Sequence, residues 1–345
     1  MFVPEWRKRK SQAFDLVHNS TARRTVSVDF WGHERPVYAN ANLSLYSAQI
    51  CNARCAFCVE ELRPASRGGA LAQQKHTERD DGRYFAALEQ TLACLKPLAP
   101  STSVTGGEPS KDPRLPRILR TLCAHDARKR TLTTNGSGLL DVRDGERVVD
   151  HIAASGIRHL NISRAHPDHD RNAKLMSYRE GLAFAPLEQA IRAAQQGGTQ
   201  VRLSCVLVKG AIDSLQAVLA YLDFAASLGV EQVIFRQLMQ TDPLTAEPNH
   251  VVRFSDSHRV QLEPLLELLS EDPRFSFVKQ ILGYYYYVEV FRCAGMTVVF
   301  EEADLAQLER VKRSAPGLVH ELIFHPSAQL CATWQPWDQI LGPLK

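Results

Sequence analysis

The sequence predicts an α/β protein built as an incomplete (β/α) barrel, and three observations predict it. From residue 100 onward, short β-type runs alternate with amphipathic helical ones, the pattern of successive β-α units on a parallel sheet. Glycine or asparagine–glycine pairs punctuate the ends of these runs. The alternation stops after Asp242-Pro243, at about six units, short of the eight that close a full barrel of this kind. The expected organisation is a short N-terminal extension over 1–39, a partial (β/α)6 barrel over 40–245 and a C-terminal covering subdomain over 246–345.

Asn42–Tyr46 reads as the first barrel strand and Tyr84–Leu95 as the first crossover helix. Ser101–Thr105 is a strand running into Gly106-Gly107, with a helix after it over Pro116–His125. Arg130–Thr134 is a strand ending at Asn135-Gly136. Glu146–Ser155 repeats Val148, Val149 and Ile152 at helical spacing and stops at Gly156. His159–Ile162 is the next strand, Leu187–Gln196 a helix closed by Gly197-Gly198, and Gln200–Val208 a strand closed by Gly210. Asp213–Leu228 starts at an N-cap candidate, Asp213, and carries Leu215, Val218, Leu219 and Leu222 on one stripe. Gln232–Leu238 is the last barrel strand. Beyond it lie a helix near Val260–Leu269, the aromatic run Tyr284–Tyr287 and a strand-like Leu322–His325. Upstream, Thr25–Phe30 is a candidate extra strand.

Charge excludes several function classes. A formal net charge of +3 over 345 residues lacks the basic excess of a nucleic-acid binder. The run Arg7-Lys8-Arg9-Lys10 reads as a solvated tail. No stretch approaches the ~20 apolar residues of a membrane helix, and no apolar region follows the N-terminal charges as in a signal peptide. A cytoplasmic protein is expected. In that reducing compartment the eight cysteines are not disulfides. Cys94, Cys123, Cys205, Cys293 and Cys331 are scattered among mostly apolar neighbours, as buried thiols are.

The other three cysteines are clustered. Cys51-Asn-Ala-Arg-Cys55-Ala-Phe57-Cys58 places three thiols within one loop, directly after the first barrel strand. Three thiolates hold three irons of a cubane and leave the fourth iron without a protein ligand, open to a chelating cofactor. The rival is structural zinc, which takes four ligands; His18, His33 and His76 are available, none at a usual spacing. A redox Cys55/Cys58 pair would leave Cys51 without a role.

This Cys-x3-Cys-x2-Cys motif, with an aromatic before its last cysteine, resembles the signature of the radical S-adenosylmethionine (SAM) superfamily. Thr105-Gly106-Gly107-Glu108-Pro109, at the next strand's end, resembles the same family's Gly-Gly-Glu-Pro motif. Thr133-Thr134-Asn135-Gly136, Asn161-Ile162-Ser163, Val206-Leu207-Val208-Lys209-Gly210 and Phe235-Arg236-Gln237-Leu238-Met239 resemble later strand ends in the branch containing the molybdenum-cofactor cyclase. The resemblance covers roughly residues 40–242. It implies a [4Fe–4S] cluster on Cys51, Cys55 and Cys58, with SAM near Phe57, Gly106, Gly107, Glu108, Thr134, Asn135, Ser163 and Met239. It implies reductive cleavage of SAM to a 5′-deoxyadenosyl radical that takes hydrogen from a small-molecule substrate. An external one-electron reductant such as flavodoxin or ferredoxin is implied as partner. Lys209 matches a position that faces substrate. Cys331, in a segment similar to the final turn of related enzymes, is a candidate hydrogen-atom donor.

The chain departs from the cyclase. Only Cys293 and Cys331 stand where that enzyme carries three C-terminal cysteines for a second cluster, and Arg164 replaces an acidic residue. The purine-triphosphate substrate is therefore not carried over. Arg164, His166 and Arg171, in a polar loop after the fourth barrel strand, are candidates for recognising a polar or anionic substrate, with Arg236 assisting. The expected function is a radical SAM enzyme acting on a polar small molecule in natural-product or cofactor biosynthesis. The alternatives are a radical SAM peptide-modifying enzyme and a non-catalytic zinc or iron–sulfur binding protein.

Overall fold

Along Gln200–Leu207 every second residue is buried: Val201, Leu203, Cys205 and Leu207. The residues between them, Arg202, Ser204 and Val206, line a cavity. Because strand side chains alternate faces, one face of this sheet packs against helices and the other bounds open space. The computed structural model that shows this describes residues 24–47, 51–61, 76–178, 181–241 and 249–343. The basic run at Arg7, His18, Asp242-Pro243 and the 245/246 boundary lie outside the described residues.

The strands are β1 (Thr25–Phe30), β2 (His33–Tyr38), β3 (Asn42–Tyr46), β4 (Ser101–Thr105), β5 (Arg130–Thr134), β6 (Val142–Arg143), β7 (Glu146–Arg147), β8 (His159–Ser163), β9 (Gln200–Leu207), β10 (Gln232–Gln237), β11 (Phe275–Leu282), β12 (Tyr286–Cys293), β13 (Met296–Ala303), β14 (Leu322–Phe324), β15 (Leu330–Cys331) and β16 (Ile340–Gly342). A 12-stranded sheet runs in the order β11-β12-β13-β10-β9-β8-β5-β4-β3-β14-β15-β16. At its centre β3, β4, β5, β8, β9 and β10 are parallel neighbours in chain order, the six strands expected from the alternation.

Two further parallel strands flank them. β13 pairs with β10 and β14 with β3, both contributed by the C-terminal hundred residues. These flanking strands do not pair with each other. β13 takes antiparallel β12, and β14 takes antiparallel β15. Each potential closing edge is thus already occupied, and the sheet stays open, consistent with an incomplete barrel. The strands of residues 246–345 extend the central sheet on both sides. The candidate strand Thr25–Phe30 pairs with β2 as a separate hairpin.

Crossover helices cover the outer face, except the helix over His169–Met176, which packs at the cysteine loop. The first is α1 (Asp81–Cys94), whose N-cap Asp80 accepts from the Arg83 amide at 3.0 Å. It is followed by α2 (Leu115–Cys123), α3 (Val148–Ala154), α4 (His169–Met176), α5 (Phe184–Gln196) and α6 (Leu215–Ser227). The cap of α6 is Ser214 and not Asp213. Ser214 Oγ accepts from the Ala217 amide at 3.3 Å, while Asp213 accepts from Gly210 N at 2.7 Å and ties down the preceding turn. The C-terminal part adds α7 (His250–His258), α8 (Leu262–Glu271) and α9 (Leu305–Ser314). No helix among the described residues is long and apolar enough to cross a membrane.

Candidate active site

The loop after β3 carries the three clustered cysteines and is held by elements far away in sequence. Met176 O, at the end of α4, accepts from Arg54 N at 3.1 Å and from the Cys55 thiol at 3.6 Å. Cys51 Sγ accepts from Ala53 N at 3.4 Å and from the Asn135 amide at 3.7 Å. Cys51, Cys55 and Phe57 pack with Ala53, Ala165, Met176 and Tyr178 in a small apolar cluster separate from the main core. Burial raises the thiol pKa values of Cys51 and Cys55, and the neighbouring Cys58 and Cys51 raise Cys55 further. Burial and mutual repulsion disfavour three thiolates in this loop unless a cationic centre compensates them, and an iron–sulfur cluster is one. The donor set therefore fits a cluster held at three corners. Among the described residues no three Cys, His, Asp or Glu side chains converge as the ligands of one metal ion do. Ligands on three separate irons are spaced more widely.

Cys55 and Cys58 form part of the wall of a cavity of about 660 Å³ on the inner face of the sheet. Of the candidate cofactor contacts, Phe57, Ser163 and Met239 line it. Phe57 also meets Phe254 of α7, ring centroids 6.4 Å apart. Met239 packs with Val251 and Val252 of the same helix.

Gly106, Gly107, Glu108, Thr134 and Asn135 do not line the cavity; they build the turns beside it. Gly106 has φ +75°, and a Cβ there would come within 2.6 Å of the Tyr46 ring at the end of β3. Only glycine lets the chain cross Tyr46 so closely. Glu108 is buried, and its carboxylate accepts from Ser110 N at 2.9 Å, Ser110 Oγ at 2.6 Å, Asn135 N at 2.7 Å and the Thr134 hydroxyl. It ties the end of β4 to the end of β5. With four donors already on it, the carboxylate is engaged inside the protein.

The candidate substrate residues scatter. Lys209 is exposed and lies outside the cavity wall, because β9 ends at Leu207 and Val206 is its last cavity-lining residue. Cys331 is fully buried on β15, also outside the wall, and burial first, with Asp338 nearby, pushes its thiol up to about 12. Arg164 reaches the wall, but its guanidinium donates to the carbonyls of His166, Leu182 and Pro167, each at 2.9 Å. Arg171 donates to Gly210 O at 3.0 Å, and Asp168 caps α4 by accepting from Arg171 N at 2.8 Å. The polar loop after β8 is occupied largely with its own backbone.

The wall contains residues that no motif of the sequence included, among them Lys129, Thr131, Arg202 and Ser204, and two that were quoted only as parts of strand-end motifs, Thr133 and Asn161. Their signal was present in the sequence. A parallel strand covered on both faces reads as a continuous apolar run, whereas Ser101-x-Ser103-x-Thr105, Thr131-x-Thr133, Asn161-x-Ser163 and Arg202-x-Ser204 alternate polar residues into one face.

The Radical SAM superfamily profile matches residues 45–234, more than half of the chain. Among solved structures, SuiB of Streptococcus suis bound to its precursor peptide SuiA is similar at 19% identity and a TM-score of 0.43, over 58% of this chain and 40% of that one. Coproporphyrinogen III oxidase (HemN) from Escherichia coli is similar at 18% identity and a TM-score of 0.42, over 68% of this chain and 52% of that one. anSMEcpe with bound AdoMet is similar at 14% identity and a TM-score of 0.40, over 56% and 50%. The chain thus matches about half of the length of these structures or less. No curated protein sequence matches it. The chain belongs to the Radical SAM superfamily, whose enzymes bind a [4Fe–4S] cluster and SAM.

Proposed function

We propose that this chain is a single-cluster radical SAM enzyme acting on a polar small molecule in natural-product or cofactor biosynthesis. The observation that carries the reading is the placement of Cys55 and Cys58 in the wall of a cavity whose lining also includes the polar strand residues Thr131, Thr133, Asn161, Ser163 and Ser204. In this reading residues 40–245 are the catalytic barrel, residues 246–345 complete its surroundings, and the chain is akin to enzymes of the molybdenum-cofactor cyclase branch. A single cluster is supported by the positions of Cys293 and Cys331, on β12 and β15, near opposite ends of the sheet order.

Cys51, Cys55 and Cys58 would hold the cluster, and Phe57, Ser163 and Met239 would hold SAM. The chemistry supplied when both are bound is one-electron reductive cleavage of the sulfonium and abstraction of a hydrogen atom from substrate. The chain's own part is positioning and exclusion. Phe57 with Phe254, and Met239 with Val251 and Val252, place apolar surface around the thiol side of the cavity and limit water there. Ser163, Asn161, Thr133 and Ser204 offer hydroxyls and an amide for a polar substrate. Low-potential chemistry fits the cytoplasm, with flavodoxin or ferredoxin as electron donor.

The test is anaerobic iron–sulfur reconstitution, chemical reduction with SAM and measurement of 5′-deoxyadenosine. The expected result is 5′-deoxyadenosine from the native protein and none from Cys55→Ala. Tight zinc binding with no four-iron cluster would overturn the reading.

A further inference from the structure

Part of the cavity wall carries positive charge on residues other than those assigned to the cluster and SAM. Lys129 stands one residue before β5, Arg202 is on β9 and Arg236 on β10, and all three line the cavity. Arg158, one residue before β8, adds a fourth cation close to Lys129 and Arg202. Facing them is Glu301 on β13, 3.7 Å from Arg236. The other acidic residue of the wall, Glu60, belongs to the cysteine loop. Three cations of the wall, with Arg158 outside it, thus share one nearby carboxylate, Glu301.

These cations are poorly satisfied. Lys129 has no hydrogen bond or ion pair from its ammonium among the described residues, and Arg202 uses only Nε, donating to Gln232 at 2.7 Å. Arg236 Nε is sealed from solvent without an acceptor, so water does not serve it. Asn161, buried and part of the wall, has its side-chain oxygen unpartnered beside them, as does His159 at Nδ1. Burial, then Arg236 and Arg158, bring Arg202 down to about 10, and burial, then Arg202 and Arg158, lower Lys129. Half-buried cations crowded in this way are costly unless something anionic neutralises them.

We propose that Arg202, Arg236 and Lys129 form a binding site for an anionic group of the substrate, a carboxylate or a phosphate ester. The assignment rests on reading this cavity as the substrate chamber. Two guanidinium forks suit the paired oxygens that both groups present, and the lysine adds a point charge. Lys129 lies just before β5, and Arg202 and Arg236 lie on β9 and β10, whereas the cysteine loop follows β3. An anion held by them therefore leaves the rest of the substrate free to extend toward the thiol side.

The test is equilibrium dialysis of the full-length reconstituted protein, under anaerobic conditions, with labelled inorganic phosphate, pyrophosphate and succinate, and with glucose as neutral control. The expected result is saturable binding of the phosphates or of succinate, whichever group the substrate carries, and none of glucose. Arg202→Gln and Arg236→Gln should each weaken that binding about tenfold. Arg236→Lys, which keeps the charge and guards against misfolding, should weaken it less. Binding that is absent for every anion, or that survives unchanged in folded Arg202→Gln and Lys129→Gln proteins, overturns the proposal. Cluster content and SAM cleavage are read on the same samples. A protein that cleaves SAM yet ignores anions overturns this inference alone; one that binds anions but assembles no cluster overturns the functional reading alone.

Discussion

The side-chain amide of Asn135 donates to the sulfur of Cys51 across 3.7 Å, while the same amide donates to Asn52 Oδ1 at 2.8 Å. A residue at the end of β5 thereby steadies the first thiol of a loop that follows β3, more than eighty residues earlier in the chain. Hydrogen bonds to ligating sulfurs stabilise the reduced, more negative cluster and so raise its potential. Asn135→Ala is expected to lower the potential of the reconstituted cluster by on the order of tens of millivolts. A potentiometric titration followed by electron paramagnetic resonance measures it, and an unchanged potential would show that the amide does not act on the sulfur.

Glu108 is expected to behave as a structural tie. Replacing it with Gln keeps the volume but turns one acceptor into a donor facing Thr134 or Asn135, which leaves buried donors without partners. The expected loss is about 2 kcal/mol of stability, read from the urea midpoint at constant slope. A change below about 0.5 kcal/mol would mean that the four donors find other acceptors.

Arg164→Lys is expected to be damaging although it keeps the charge. A lysine ammonium does not reproduce the planar fork that serves three carbonyls at once. Loss of about 2 kcal/mol in stability follows. Had Arg164 been a substrate-binding group, the same variant would weaken substrate capture while the unfolding midpoint stayed put, and the two measurements separate these roles.

His159 sets an acid limit. Burial first, then Arg202, Lys129 and Arg158, hold it at about 4, below its usual 6.5. Between those values the unfolded chain takes up a proton that the folded chain refuses. Stability is therefore present above about pH 6.5 and is lost as pH falls toward about 4. The melting temperature of the native protein should drop by a few degrees more between about pH 7 and about pH 5 than that of His159→Gln. Equal drops would place the acid sensitivity elsewhere.

The alternation of short strands and amphipathic helices was legible because it records local physics. β3, β4 and β5 fall where the side-chain period and the glycine punctuation place them, and helix ends differ by one to three residues where caps decide the boundary, as at Ser214. The thiol motif was legible for a similar reason, since eight consecutive residues in one loop need no tertiary information to be neighbours. Lys209 and Cys331 illustrate the limit. Whether a residue at a strand's end meets the cavity depends on where pairing stops, and β9 stops at Leu207.

The sequence by itself determined the six parallel strands, the cysteine loop after the first of them and the glycine turn after the second, because each is written in residues close together along the chain. Only the tertiary structure decided that β13 and β14 flank those strands, and that Lys129, Arg202 and Arg236 share one wall. Those relations depend on sheet register between strands tens to hundreds of residues apart. A shift of one residue in that register turns a side chain from the cavity to the core, and no local pattern specifies it.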